Sequence, residues 1–107
     1  MKTEITVKNF FINDLAKDIV NYLEKKQIKK VTIRLDYGPS TETKTLNLNQ
    51  FEQLTQYIEE YLDSDDARFF YLNIPEIKTS IQSFTYGVDI ISEQEDIKHH
   101  FSKYHTE

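Results

Sequence analysis

The sequence predicts a single α+β domain, 1–107, in which helices pack on a mostly antiparallel sheet. Two stretches with apolar residues at helical spacing, 12–23 and 51–62, alternate with shorter stretches that have strand periodicity. A Gly-Pro pair inside 37–42 marks a tight reversal between two of those strands. The 107 residues are 38% hydrophobic with seven Phe and seven Tyr, which suits one hydrophobic core. The predicted order of elements is β-α-β-β-α-β-β-α.

The first half is predicted to hold a strand, a helix and a hairpin. Residues 5–7 alternate apolar and polar side chains, as expected for a short strand with one buried face. The helix, 12–26, carries its apolar residues in one stripe and its charged residues opposite. Apolar and polar residues alternate regularly over 31–36 and again over 46–48. This pattern predicts two strands of a hairpin with its tip at 37–42.

The second half is predicted to hold a helix, two strands and a last helix. The helix over 51–62 has a regular apolar stripe and stops in a run without apolar residues. An aromatic-rich strand over 69–74 ends at a proline. Residues 76–84 fit either a helical turn or a strand, and the alternation that follows favours one strand over 81–91. A final helix is expected over 97–104.

A helix-strand-strand unit occurs twice in this order, over 11–48 and over 50–91. Asn21-Tyr22-Leu23-Glu24 in the first helix matches Gln56-Tyr57-Ile58-Glu59 in the second in character, at an offset of 35 residues. In both units a strand follows the helix after a short connection. The sequence therefore predicts a weak pseudo-repeat within the one domain.

The composition excludes several classes of protein. The chain has no Cys, which excludes a disulfide framework and a Cys-based zinc site. No apolar run reaches the roughly 20 residues that a membrane span needs, so no membrane partner is expected. The first residues lack the apolar core of a signal peptide, and we expect a cytoplasmic location. Abundant Ile, Lys and Asn suggest an AT-rich coding source, such as a low-GC bacterium, its phages or its plasmids.

Neither enzymatic activity nor a cofactor is predicted. None of the serines lies in a Gly-x-Ser-x-Gly elbow, and two glycines cannot form a phosphate-binding loop. The one candidate for metal binding is the set of His99, His100 and His105, whose imidazoles suit zinc or nickel. Their spacing does not place two ligands on one helix face, and histidines are also common at helix ends. The sequence leaves the metal question open.

Negative charge is concentrated in the second half of the chain. Residues 1–30 hold seven Lys against four acidic residues, whereas residues 59–107 hold four basic and eleven acidic residues. Five of these form what we call the acidic tract, namely Glu59, Glu60, Asp63, Asp65 and Asp66. The tract lies at the C-terminal end of the predicted second helix, where the helix dipole disfavours negative charge. Carboxylates placed against the local electrostatic preference are expected to serve a function other than stabilising the fold.

That task is predicted to be the binding of a basic protein surface, because complementary charge steers association and gives specificity. Tyr37 and Tyr61 are predicted as further contacts, since tyrosine offers a large contact area at a low cost in entropy. The net charge of −5 disfavours direct binding of nucleic acid. We therefore expect a small acidic inhibitor, of an anti-defence type such as anti-CRISPR or of an immunity type.

The expected partner is a nuclease, a toxin or another nucleic-acid-binding protein, whose basic surface the carboxylates would occupy as a DNA mimic. Ile12-Asn13-Asp14-Leu15 and Thr32-Ile33-Arg34-Leu35, followed by a turn, resemble part of a small type II anti-CRISPR inhibitor over less than half of the chain. This resemblance does not identify a family.

Two other hypotheses stand beside the inhibitor. A homodimeric structural or adaptor module would pair through an open sheet edge, for which the predicted strand over 81–91 is the candidate. A small-ligand binder or an enzyme would need a pocket lined by aromatic residues with a few buried polar groups. The chain is accordingly expected to be a monomer or a homodimer.

Overall fold

The computed structural model describes residues 2–85 and 87–104, and over these residues it contains six strands and three α-helices. In chain order they are β1 (Thr3–Val7), α1 (Ile12–Lys25), β2 (Lys30–Asp36), β3 (Thr41–Asn47), α2 (Phe51–Leu62), β4 (Phe69–Ile74), β5 (Thr79–Phe84), β6 (Gly87–Ser92) and α3 (Ile97–His100). Single 3₁₀ turns lie at Leu48–Gln50, Pro75–Ile77 and Ser102–Tyr104.

The six strands form one sheet in the order β1-β6-β5-β4-β2-β3, and every neighbouring pair is antiparallel. The predicted α+β class is therefore confirmed, and the order of elements is consistent with the prediction. The predicted pseudo-repeat of 11–48 and 50–91 stays a prediction.

The stretch 81–91, predicted as one strand, contains most of β5 and β6, which are two antiparallel strands paired with each other. The apolar alternation was misleading because it continues across two strands whose buried positions differ in phase, namely 79, 81 and 83 in β5 but 88, 90 and 92 in β6. Three of these inward positions carry hydroxyl side chains, at Thr79, Ser83 and Ser92. The hydroxyls of Thr79 and Ser92 share a hydrogen bond of 2.7 Å, and the backbone N–H of Phe70 donates to Ser83 Oγ over 2.8 Å. Tyr86, which the predicted strand includes, lies outside the described residues.

For residues 76–84 the sequence allowed either a helical turn or a strand. They begin within the 3₁₀ turn at Pro75–Ile77 and continue into β5. The prediction that residues 81–91 form an open sheet edge for dimerisation is wrong, because β5 and β6 each have a neighbouring strand on both sides. The edges of the sheet are β1 and β3. The final helix is also shorter than expected, since α3 has four residues and a 3₁₀ turn follows it.

The hydrophobic core lies between one face of the sheet and the helices. α1 and α2 place the stripes that the sequence predicts against this face, including Leu15, Ile19, Leu54 and Ile58. The segment that follows β6 covers one side of α1, where the ring centroids of Phe101 and Tyr22 lie 5.9 Å apart. Burial of these aliphatic and aromatic side chains is the main favourable contribution to folding.

Four connections meet at one end of the sheet. The pairing of Asp36 with Phe69, of Phe84 with Gly87 and of Val7 with Val88 places the adjoining connections side by side. We call this region the loop end, and in the described residues it consists of 8–11, 37–40, 63–68 and Thr85. The start of α1 and the end of α2 point to the same end.

Candidate protein-binding surface at the loop end

The acidic tract lies partly on the last turn of α2 and partly in the loop that follows it. Four of its side chains are exposed, whereas Glu59 is half-buried. Arg68 Nη1 donates to Glu60 Oε1 over 3.1 Å, so this carboxylate is neutralised within the chain. The other four carboxylates form no ion pair within the part of the chain that the structure describes.

The loop that carries Asp65 and Asp66 is held by its own hydrogen bonds. The backbone N–H of Asp66 donates to Ser64 Oγ over 3.1 Å. The backbone N–H of Arg68 donates to the carbonyl of Asp66 over 2.8 Å. The two carboxylates are therefore presented from a short, internally bonded turn, which lowers the entropic cost of binding through them.

The two tyrosines predicted as contacts differ in exposure. Tyr37, at the tip of the β2–β3 hairpin, is 37% exposed, whereas Tyr61 is only 3% exposed. Their rings meet edge-on with 5.6 Å between centroids, and the guanidinium of Arg68 lies 5.9 Å from each ring. Tyr61 is thus placed to support Tyr37 and Arg68 from below. The assignment of the acidic tract and these tyrosines to partner contact stays a prediction.

The hydroxyl of Tyr61 is buried and makes no hydrogen bond within the described residues. Burial is the main reason that the pKa of Tyr61 is raised above its ordinary value, and the neighbouring Tyr37 and Glu60 raise it further. This hydroxyl therefore stays neutral over the physiological range of pH.

The prediction from sequence missed Phe11, which is 80% exposed and is the most exposed large apolar residue that the structure describes. It precedes the first turn of α1 in an extended conformation, with φ −89° and ψ 130°. The neighbouring Phe10 instead packs against the core. A usable signal was present in the sequence, because two adjacent phenylalanines before a helix cannot both face the same core.

A cleft of about 500 Å³ separates the acidic loop from the connection that carries Phe11. Its apolar walls include Phe10, Ile12, Leu62 and Phe69. Asp65, Asp66, Lys8 and Arg68 supply the charged side chains of its lining. The cleft lies where the helices, the sheet and three of the connections meet, so it opens at the end of the core.

Two of the three histidines for which the sequence left metal binding open lie within the described residues. The ring of His100 packs 4.8 Å from the rings of both Tyr22 and Phe101, and its Nε2 lies 2.9 Å from the carbonyl oxygen of Asp18. His99 is exposed, and His105 lies outside the described residues. Among the residues described, no group of three or more His, Cys, Asp or Glu side chains is placed to hold a metal ion.

The carboxylate of Asp96 has a structural task at the opposite end of the molecule. Asp96 forms ion pairs with Lys26 at 2.9 Å and with Lys25 at 3.4 Å, and Tyr22 donates to it over 2.7 Å. Partial burial opposes ionisation, but the hydrogen bonds from Lys26 and Tyr22 prevail and lower the pKa of Asp96 to about 2. Lys25 and Lys26 thereby help to hold the last segment on α1.

No protein-family model matches the chain, and comparisons with curated proteins and with solved structures returned no match. Among the described residues, no helix is both long enough and apolar enough to cross a membrane. The candidate surface therefore rests on its own geometry and charge.

Proposed function

We propose that this protein is a small acidic protein-binding domain, without enzymatic activity, that occupies a basic surface of a partner protein through its loop end. One observation carries the proposal. Phe11 and Tyr37, the exposed large hydrophobic residues of the described chain, lie at the same end of the molecule as the four carboxylates without ion pairs.

Exposed aromatic anchors and unpaired charges have complementary tasks in an interface. Aromatic side chains supply most of the binding energy in many interfaces, because they bury a large area in a partner's pocket. Unpaired carboxylates accelerate the encounter with a basic surface and disfavour acidic partners. A surface that combines both selects a basic partner with an apolar recess.

Nucleic-acid-binding surfaces of nucleases and toxins have this character, since they carry arginines and lysines that meet phosphates. In our proposal the acidic loop takes the place of those phosphates. The protein would then act as an inhibitor of an anti-defence or immunity type, in the cytoplasm of the cell where that partner works.

The test is capture of the partner from a lysate of the source organism, or of its host if the gene is viral. Wild type is compared with a loop-end variant, Glu59→Gln, Asp63→Asn, Asp65→Asn and Asp66→Asn, which leaves the Glu60–Arg68 pair intact. The matched control removes four exposed charges that form no ion pair within the described residues and lie towards the opposite end, by Glu4→Gln, Glu24→Gln, Glu76→Gln and Glu95→Gln.

The proposal expects one basic protein to be retained by wild type and by the control, and to be lost with the loop-end variant. Equal retention by all three forms would show that the loop end is not the binding surface. Retention of an acidic protein alone would contradict the proposed charge complementarity.

A homodimeric adaptor is the alternative, and the outer edge of β3 favours it. β3 pairs with β2 along its whole length, and no described strand covers its other side. An uncovered edge is a template for pairing with a second copy. Light scattering decides this alternative, because a dimer that Thr43→Pro in β3 converts to a folded monomer would support it.

A further inference from the structure

We infer that the cleft at the loop end receives an arginine side chain of the partner. This inference rests on the proposed function, since it names the chemical group that the acidic surface recognises. It is carried by three features of the cleft, which are its apolar walls, its balance of charge and the unpaired hydroxyl of Tyr61.

The walls of the cleft suit a long side chain with an apolar stem. Phe10, Ile12 and Leu62 form an apolar surface, while Asp65 and Asp66 belong to an exposed loop at the cleft. The volume of about 500 Å³ lies within the range of pockets that hold small ligands. An arginine stem covers apolar surface of this kind while its charged head stays near water.

The balance of charge in the cleft favours a cation. Of the two cationic side chains in the lining, Arg68 is already paired with Glu60, which leaves Lys8 against Asp65 and Asp66. The two carboxylates therefore carry one negative charge in excess. A guanidinium is preferred to an ammonium at this place, because its planar fork of donors matches paired carboxylates and its face stacks on aromatic rings.

Tyr61 supplies an observation that is independent of the acidic loop. It forms part of the wall of the cleft, it is 3% exposed, and its hydroxyl has no hydrogen-bond partner within the described residues. A buried polar group without a partner needs an explanation in a folded protein. In this structure it is an unused acceptor behind the wall, which an incoming N–H donor reaches once the side chains that cover it shift.

The test is a titration of the ¹⁵N-labelled full chain with N-acetyl-arginine methylamide, followed by backbone amide chemical shifts. The citrulline analogue has the same shape without the charge, and the lysine analogue has the charge without the fork. We expect the arginine probe to move amides of 10–12 and 64–68, and the citrulline probe to bind about tenfold more weakly. The lysine probe is expected to bind between the two.

Variants separate this site from general attraction to an acidic protein. Asp65→Asn with Asp66→Asn is expected to abolish the shifts, whereas the control Glu76→Gln with Glu95→Gln keeps them. All four side chains are exposed, so both variants are expected to fold, and thermal unfolding checks this. Equal binding of arginine and citrulline, shifts only outside the cleft, or no shift at all would each overturn the inference.

The outcome is distinguishable from that of the proposed function. A chain that captures a basic partner but shows no response of the cleft to the arginine probe keeps the proposed function and loses this inference. A chain whose cleft binds the probe while capture fails retains the arginine site and loses the proposed function.

Discussion

The ring of Tyr37 meets the ring of Tyr61 edge-on, so an exposed side chain of the β2–β3 tip rests on a buried side chain of α2. Arg68 lies against both rings and also holds Glu60. This cluster joins the hairpin tip, the last turn of α2 and the start of β4. The geometry of the loop end therefore depends in part on Tyr61, which presents almost no surface of its own.

Replacing Tyr61 by Phe should leave stability unchanged or raise it by up to about 1 kcal/mol, because the buried hydroxyl has no hydrogen-bond partner to lose. The ring that supports Tyr37 is kept. Urea denaturation of both proteins measures the difference in free energy of unfolding. A loss of stability above that size would show that the hydroxyl has a partner in solution.

Phe11→Ala should weaken partner binding by about 2 kcal/mol, roughly 30-fold, as expected for an aromatic anchor. It should change the free energy of unfolding by less than about 0.5 kcal/mol, because the side chain is mostly exposed. Calorimetric titration with the captured partner and denaturation measure the two effects. Phe10→Ala is the contrasting variant, since Phe10 packs on the core and its loss should reduce stability. Unchanged affinity of Phe11→Ala would remove Phe11 from the interface.

Asp63→Asn, Asp65→Asn and Asp66→Asn together should slow association with the partner and reduce its dependence on salt. Stability should stay within about 0.5 kcal/mol of wild type, because these exposed carboxylates form no ion pair within the described chain. Stopped-flow association at two ionic strengths tests this. If only the dissociation rate changed, the steering task assigned to these charges would be wrong.

Gly87→Ala should destabilise the fold by about 3 kcal/mol, because overpacking typically costs 1–3 kcal/mol. A Cβ at this position would lie 2.3 Å from the backbone carbonyl oxygen of Val7, which cannot move without disturbing the pairing of β1 with β6. Gly38→Ala is the control. Its φ of +95° strains an alanine, at a cost of about 1 kcal/mol, but no atom lies closer than 4.0 Å to the added carbon. Denaturation should rank Gly87→Ala as the more damaging change.

The pKa of Asp96, about 2 in the fold against an ordinary value of 3.8, predicts a pH dependence of stability. Because the folded value is lower, the stabilisation is fully present above about pH 4 and is lost as the pH falls towards 2. Asp96→Asn should cost about 1 kcal/mol at pH 7, a value reduced for solvent screening, and almost nothing at pH 2. Glu95→Gln, next in sequence and exposed, should show no such change between the two pH values. A cost of Asp96→Asn that is equal at both would contradict the ionic origin.

Much of the secondary structure could be predicted because its periodicity is strong. The predicted stripes of α1 and α2 and the alternation of β2 correspond closely to the buried positions, since each element buries one regular face. β5 and β6 could not be separated in this way. Inward-facing hydroxyls at Ser83 and Ser92 interrupt the apolar alternation, and they are tolerated only because partners across the sheet satisfy them.

The candidate site was likewise predictable from the sequence only in part. Charge is local information, so the order of residues located the acidic tract at the end of the second helix. Which carboxylates are unpaired depends on distant residues, as when Arg68 at the start of β4 reaches back to Glu60. The exposure of Phe11 and the burial of Tyr61 likewise depend on which side chains occupy the end of the core.

The amino-acid order thus sufficed for the α+β class, the two long helices and the concentration of negative charge, because periodicity and charge are properties of neighbouring residues. The order of strands, the true sheet edges and the gathering of four connections at one end were decided by the tertiary structure. Those features arise from contacts between residues far apart in the chain, where competition for a single core determines which side chains are buried and which stay exposed.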